Sequence, residues 1–382
     1  MPKAVGEASY RRFITGPINR FDERNTAYSR GDKGELPSLR ESFEKGLKTK
    51  GEKNLPGFTR EDYALNLAGR AIDTLVRRAA FGRDSMPTRW PIPVGPIPVS
   101  DPAKMSWKVK RIARWFGADL AGICELNRLW VYSHWGDHTA KLSQMASPGD
   151  PLEIPERYQY AIVIAVGMNY DDIRRSPGVV PSNDLGYAQV AFIAASLAEF
   201  IRFLGYHAIP CGNDTALSIP LAIDAGLGEL GRNGLLITKE YGPRVRLGKV
   251  LTDLPLEVDN PVDIGGQDFC EKCTKCAHHC PGQAILTGER TDQPRNVSNN
   301  SGVLKWPIDA EKCLGWWFKN GTGCSNCIMV CPWNKPKSGV LHKLVRAIAT
   351  HTHIFNLLFI KMDDLLGYGK QVIKETPCLK RT

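Results

Sequence analysis

Apolar residues recur along this chain with a helical period in some stretches and as short unbroken runs in others, and the alternation divides it into segments. Within Glu61–Arg78, Tyr63, Leu65, Leu67, Ala71 and Leu75 fall at helical spacing and predict one docked helix. That helix belongs to a polar, charged first hundred residues ending in Pro91-Ile92-Pro93-Val94-Gly95-Pro96-Ile97-Pro98. So many prolines rule out a helix there and predict an extended connector on the surface. From about residue 104 helical and strand patterns alternate. Met105–Phe116 reads as an amphipathic helix, Tyr160–Val166 as a fully buried strand, and Gln189–Phe203 as a long helix stopped by Gly205. His207–Cys211, Leu235–Thr238 and Lys249–Leu254 read as further strands. Beyond Asp259-Asn260-Pro261 a cysteine-rich segment runs to about Lys337, and Leu341–Leu366 regains helical spacing as a tail packed back on the body.

The composition adds little to that picture. The 382 residues are 42% hydrophobic and 24% charged, ordinary values for a globular protein. The formal charge of +10 suits an anionic partner, whether an acidic electron donor, a phosphate-bearing cofactor or nucleic acid, and equally suits solubility alone. No apolar run in the sequence approaches a membrane span. Arg11-Arg12-Phe13 imitates a twin-arginine signal, but Ile14–Asp22 supplies no apolar core behind it. The expectation is a cytoplasmic chain as written, or else an exported, membrane-associated mature form.

The cysteines change the picture. Eight of eleven fall in two strings, Cys270-x2-Cys273-x2-Cys276-x3-Cys280-Pro281 and Cys313-x10-Cys324-x2-Cys327-x3-Cys331-Pro332. Two 4Fe-4S cubanes need eight thiolates, and in two-cluster ferredoxins the cysteine before proline crosses to the other cluster. On that rule Cys270, Cys273, Cys276 and Cys331 hold one cluster, and Cys280, Cys313, Cys324 and Cys327 the other. Zinc sites rarely use this spacing, and disulfide frameworks belong to small secreted domains. Cys124, Cys211 and Cys378 have no partner pattern, and His278 and His279 are read as neighbours of a cluster, not ligands. Gly226-Leu227-Gly228-Glu229-Leu230-Gly231 is literally GxGxxG, yet a helix precedes it and a strand follows. A dinucleotide site needs the reverse order, so the motif reads as a glycine-rich turn.

Several stretches together resemble the reductive dehalogenases. They are Gly205–Asp214, Gly226–Thr238, Tyr241-Gly242-Pro243-Arg244-Val245-Arg246, and Cys313-Leu314-Gly315-Trp316-Trp317-Phe318-Lys319-Asn320-Gly321 followed by Cys324–Lys335. The similarity runs from about 104 to 337. It implies an α+β or α/β chain in which a nitroreductase-like cobalamin-binding core is fused to a bacterial ferredoxin-like domain with two 4Fe-4S clusters. The expected divisions are 1–103 wrapping the core, 104–260 the core, 261–337 the cluster domain and 338–382 a helical tail. The resemblance further implies a cobalamin with no protein ligand from below, an organohalide substrate, Tyr187 as proton donor and Arg246 as its phenolate stabiliser. It places Asn213, Leu247 and Trp317 around the substrate, although Gly212-Asn213-Asp214 is also a common turn and Trp317 could instead shield a cluster. The electron donor would be a ferredoxin, a flavodoxin or a quinol-linked protein. Nucleic acid is not an expected partner, while a homodimer and peripheral membrane attachment stay open. Two rival functions share part of the signal, an epoxyqueuosine reductase-like enzyme acting on tRNA and a non-enzymatic two-cluster electron carrier.

Overall fold

The computed structural model describes residues 3–36, 39–53, 55–59, 62, 63, 65, 66, 73, 76, 95–143, 146–336, 339–352 and 354–372. Most of the expected Glu61–Arg78 helix, the first half of the proline-rich connector and Cys378 lie outside these residues.

The N-terminal arm is a set of short pieces, each tied to something distant. Strand β1 (Lys3–Ala4) pairs antiparallel with residues 262–263, and Ile14 bridges to Val303. Helix α1 (Ala27–Asp32) starts at Thr26, whose hydroxyl accepts from the Ser29 N–H. Helix α2 (Leu39–Glu52) lies along residues 310–320. There Phe43 meets Phe318 edge-on at 5.7 Å, and a Cβ on Gly46 would touch the Lys319 carbonyl at 2.9 Å.

Helix α3 (Pro102–Trp115) has both start signals, proline in its first turn and an Asp101 carboxylate accepting from Lys104 N–H. Met105, Val109 and Ala113, spaced four apart, form its buried stripe. It leads into β2 (Leu120–Glu125), a strand the periodicity does not announce. Next come α4 (Asp137–Ser143), β3 (Tyr160–Gly167), α5 (Pro181–Phe203), β4 (Ala208–Cys211) and α6 (Ser218–Asp224). A small hairpin of β5 (Glu229–Leu230) and β6 (Leu236–Ile237) precedes β7 (Val245–Thr252).

The main sheet has the order β2-β3-β7-β4 and every pairing is antiparallel. Its register sets Ile162 opposite Val250 and Val166 opposite Arg246. One face, with Ile162, Ile164, Val166 and Val250, packs on α3 and α5 through Val109, Ala191, Ala194, Leu197 and Ile201. The other, with Ala161, Val163, Ala165 and Leu251, packs on Tyr10, Trp130, Tyr158, Leu221 and Tyr241. Coverage of both faces explains why β3 is apolar at every position instead of alternating.

Helix α5 begins eight residues earlier than its periodicity suggests, with Pro181 in its first turn, and it is long and apolar enough to cross a membrane by composition. That corrects the expectation of no such segment. Half of it is buried, however, and the buried half is the stripe that covers the sheet. It ends at Gly205, whose φ of +87° only glycine adopts freely. The connector arrives here, with Ile97 N–H donating to the Leu204 carbonyl and Tyr206 O–H to the Ile97 carbonyl.

The cysteine-rich part follows β8 (Val262–Asp263) and opens with α7 (Gly266–Lys272). Farther on, α8 (Ala310–Asn320) is capped by Asp309, which accepts from Lys312 N–H. The expected tail helix is two helices, α9 (Val340–His351) and α10 (Asn356–Leu365).

Candidate functional site

The literal GxGxxG follows α6 and runs into the β5–β6 hairpin, so it is the turn its order implies. Its glycines make room for neighbours: at Gly226, φ +73°, a Cβ would collide with the Asn260 carbonyl. The buried Glu229 carboxylate within it accepts from Gly266 N–H at 2.8 Å and Ile264 N–H at 3.1 Å, at the N-terminus of α7. The motif thereby holds the helix that carries Cys270.

Cys331 lies beside Cys270, Cys273 and Cys276, the first of the expected sets, and Cys327 lies within electrostatic reach of Cys324, Cys313 and Cys280 and also of Cys276. The first set rings a space of about 290 Å³ that Asn233, Phe269, Pro332 and Trp333 help to line. Burial pushes the Cys270 and Cys313 thiols up to about 12 and raises those of Cys273, Cys276, Cys324, Cys327 and Cys331. Four buried thiols cannot ionise together unless a compact cation compensates them, which is what the iron of a 4Fe-4S cluster does. Main-chain N–H groups already face the sulfurs: Arg232 N–H points to Cys270 Sγ at 3.5 Å, and Ala284 N–H to Cys280 Sγ at 3.3 Å. The donor set fits two cubanes.

Of the other expected site residues, Tyr187, Arg246, Leu247 and Asn213 lie toward one end of the main sheet, where β3 stops, β7 starts and β4 has just ended, while nothing among the described residues brings Trp317 to them. Tyr187 sits half-buried in the second turn of α5. Arg246, the second residue of β7, lays its guanidinium over the Tyr187 ring, 4.7 Å from the centroid. Arg246 Nε also donates to the Asn183 carbonyl at 3.4 Å. A Cβ on Gly186 would press on Arg246 Cγ at 2.8 Å, so the glycine lets this arginine cross the helix. β7 begins four residues before the strand expected at Lys249–Leu254, which puts Arg246 and Leu247 on a rigid strand, pointing to opposite faces. Asn213 is exposed in the loop after β4 and accepts from Ser218 O–H at 3.4 Å. Trp317, on α8, meets Tyr28 of the N-terminal arm edge-on at 6.0 Å.

Sequence reasoning missed the groups that join these parts. Asn183, one turn before Tyr187, donates to Ser325 Oγ at 3.1 Å; Ser176 O–H donates to Asn326 Oδ1 at 2.6 Å and its Oγ accepts from Ser325 N–H at 2.9 Å. These bonds fasten the Cys324–Cys327 loop to the start of the helix bearing Tyr187. Lys249 is fully buried and donates from Nζ to the Gly212 carbonyl at 2.8 Å and Ser218 Oγ at 3.0 Å, fixing the loop that carries Asn213. A lone lysine inside an apolar strand was the available signal.

Residues 269–334 match the 4Fe-4S double cluster binding domain. The chain is 37% identical over 302 residues to the tetrachloroethene reductive dehalogenase of Sulfurospirillum multivorans, covering 72% of this chain and 60% of that one. The chain belongs to the reductive dehalogenase family. Among solved structures, a catabolic reductive dehalogenase in complex with 3-bromo-4-hydroxybenzoic acid superposes with a TM-score of 0.78 at 25% identity, over 98% of this chain and 50% of the other. A reductive dehalogenase structure associated with B12-dependent dehalogenation superposes with a TM-score of 0.76 at 26% identity, again over 98% and 50%. The chain thus spans between half and three fifths of the length of these reductive dehalogenases. Its mixed α/β fold with a double-cluster domain is theirs.

Proposed function

We propose that this chain carries out reductive dehalogenation with a cobalamin and two 4Fe-4S clusters. The observation that carries the proposal is the seating of Tyr187 on the helix end to which the Cys324–Cys327 loop is bonded, with Arg246 of the adjoining strand end laid over its ring. The reaction breaks a carbon–halogen bond, releases halide with its electron pair, and forms a carbon–hydrogen bond from two electrons and one proton. A bound corrinoid would supply a cobalt centre from which those electrons reach the carbon–halogen bond. The side chains fit a group at this end of the sheet: Tyr187, Arg246 and Leu247 are only half-buried, the second-set cysteines are also partly exposed, and Ser182 Oγ is buried without a partner among the described residues.

Tyr187 donates the proton from its hydroxyl. Arginine stays charged, and a guanidinium at the ring face favours the phenolate left behind, whose charge spreads into the ring. Asn213 orients the substrate or the corrinoid by hydrogen bonding, and Leu247 and Trp317 wall the space. Cys280, Cys313, Cys324 and Cys327 hold the cluster nearer the reacting centre, and Cys270, Cys273, Cys276 and Cys331 the farther one. The nitroreductase-like character of the core, an organohalide as substrate and a low-potential donor such as a ferredoxin, a flavodoxin or a quinol-linked protein belong to the same proposal. So do a location in the cytoplasm and the four-part division at residues 103, 260 and 337.

The test is anaerobic reconstitution with iron, sulfide and cobalamin, then halide release over chlorinated ethenes and brominated and chlorinated phenols. One corrinoid per chain with halide release is expected. Material that keeps its iron and sulfide but retains no cobalt refutes the proposal.

A further inference from the structure

Arg232 follows the glycine-rich turn directly and is 2% exposed. Its guanidinium spreads over the first cluster's ligand segment. Nε donates to the Cys270 carbonyl at 3.0 Å, and Nη1 to the Leu286 and Gly288 carbonyls at 3.0 and 2.7 Å. Weaker contacts reach the Thr287 and Glu271 carbonyls at 3.3 and 3.5 Å. The plane lies over the Trp306 ring, 4.4 Å from its centroid. Every one of these hydrogen bonds ends on a main-chain carbonyl, so the donors are satisfied while the charge itself is paired with no carboxylate among the described residues.

Three buried or half-buried cations near the first set are paired with carboxylates. Lys275 pairs with Asp363 and, at 2.6 Å, with Asp364; Lys335 shares Asp363; Arg290 pairs with Glu271 at 2.5 Å. Arg232 itself lines the space ringed by Cys270, Cys273, Cys276 and Cys331, and its main-chain N–H points to Cys270 Sγ at 3.5 Å.

A buried ion without a counter-ion is strongly disfavoured unless an opposite charge arrives. Four thiolates around a cubane bring net negative charge, and reduction adds one more. We infer that Arg232 is the counter-charge of the first iron–sulfur cluster and holds that cluster's reduction potential up. The inference rests on the assignment of Cys270, Cys273, Cys276 and Cys331 to one cluster, and the experiment separates the two.

Full-length protein is reconstituted with iron and sulfide as wild type, Arg232→Met, Arg232→Gln and Arg232→Lys. Iron is counted first: about eight irons per chain in the wild type confirms two cubanes before any potential is read. Each protein is then titrated electrochemically under EPR, with the first cluster's signal identified as the one that Cys273→Ser alters. In the Met and Gln variants that signal is expected to titrate at a more negative potential while the second cluster's midpoint stays put. Lys keeps the charge and should titrate close to wild type. Should the neutral variants fail to take up iron while Lys takes it up fully, the need for a cation at 232 is equally upheld. Unchanged potentials in the neutral variants, equal displacement of both clusters, or loss of iron in Lys as well would overturn the inference.

Discussion

Tyr187 and Arg246 differ in what each can lose. Replacing Tyr187 by Phe removes the hydroxyl and leaves the ring under the guanidinium, so packing survives and the proposed proton source does not. Turnover is expected to drop by about 10²–10⁴-fold, the usual weight of a positioned acid, with iron and corrinoid contents unchanged. Wild-type rates in that variant would remove Tyr187 from the reaction. Buried Glu23 shows a different kind of sensitivity. It accepts from Gly136 N–H and Thr139 O–H, and burial raises its carboxyl to about 7. An acid whose folded pKa is raised stabilises the fold below its unfolded value near 4.5 and loses that contribution as pH rises through the folded value. Thermal midpoints should therefore fall between roughly pH 5 and pH 8, by an amount reflecting about 3 kcal/mol at most. Glu23→Gln should flatten the slope in the same melting series.

At the scale of elements, the most exposed joint is the one between the glycine-rich turn and α7. Gly226→Ala meets both an unfavourable φ of +73° and the Asn260 carbonyl, and a loss of about 1–3 kcal/mol is expected in denaturant unfolding. No change in the midpoint would show that this turn tolerates a side chain. The sequence made such elements legible where period and punctuation agree. Proline and Asp101 at the start of α3, Gly205 at the end of α5 and the unbroken apolar run of β3 are all plain. Cysteine spacing named the double-cluster domain because each 4Fe-4S cubane needs four thiolates. The start of α5 and the strand β2 were less plain. Ser182, Asn183 and Asp184 look like turn residues, and Leu120–Glu125 is short and glycine-bearing; only packing against the rest of the sheet makes it a strand. Arg232 and Asn183 were out of reach for another reason, since their partners are main-chain atoms and residues far along the chain.

The molecule as a whole depends on its two sets of thiols in a way a hydrocarbon core does not. Burial disfavours the thiolate at Cys270, Cys273, Cys276, Cys313, Cys324, Cys327 and Cys331 unless metal compensates it, so metal binding and folding share one free energy. Chelating the iron anaerobically should lower the thermal midpoint and open residues 269–334 to protease, while the sheet, whose packing involves none of these sulfurs, stays resistant longer. Simultaneous cleavage throughout would mean that sheet and clusters unfold as a single unit.

The N-terminal arm has a consequence for how such a chain is made. Lys3 and Ala4 find their partners at Asp263 and Val262, and Phe13 and Thr15 find theirs around Gly302 and Leu304. These pairings join residues about 260–290 positions apart and form only once synthesis has reached the cysteine-rich part, whereas Tyr10 finds Trp130 and Asp224 earlier. The strand β1 pairing and the Phe13–Thr15 contacts thus close over the cysteine-rich part late. Deleting residues 3–16 should leave metal insertion intact and quicken its later leakage, measurable as the rate at which a coloured ferrous chelator takes iron from the finished protein.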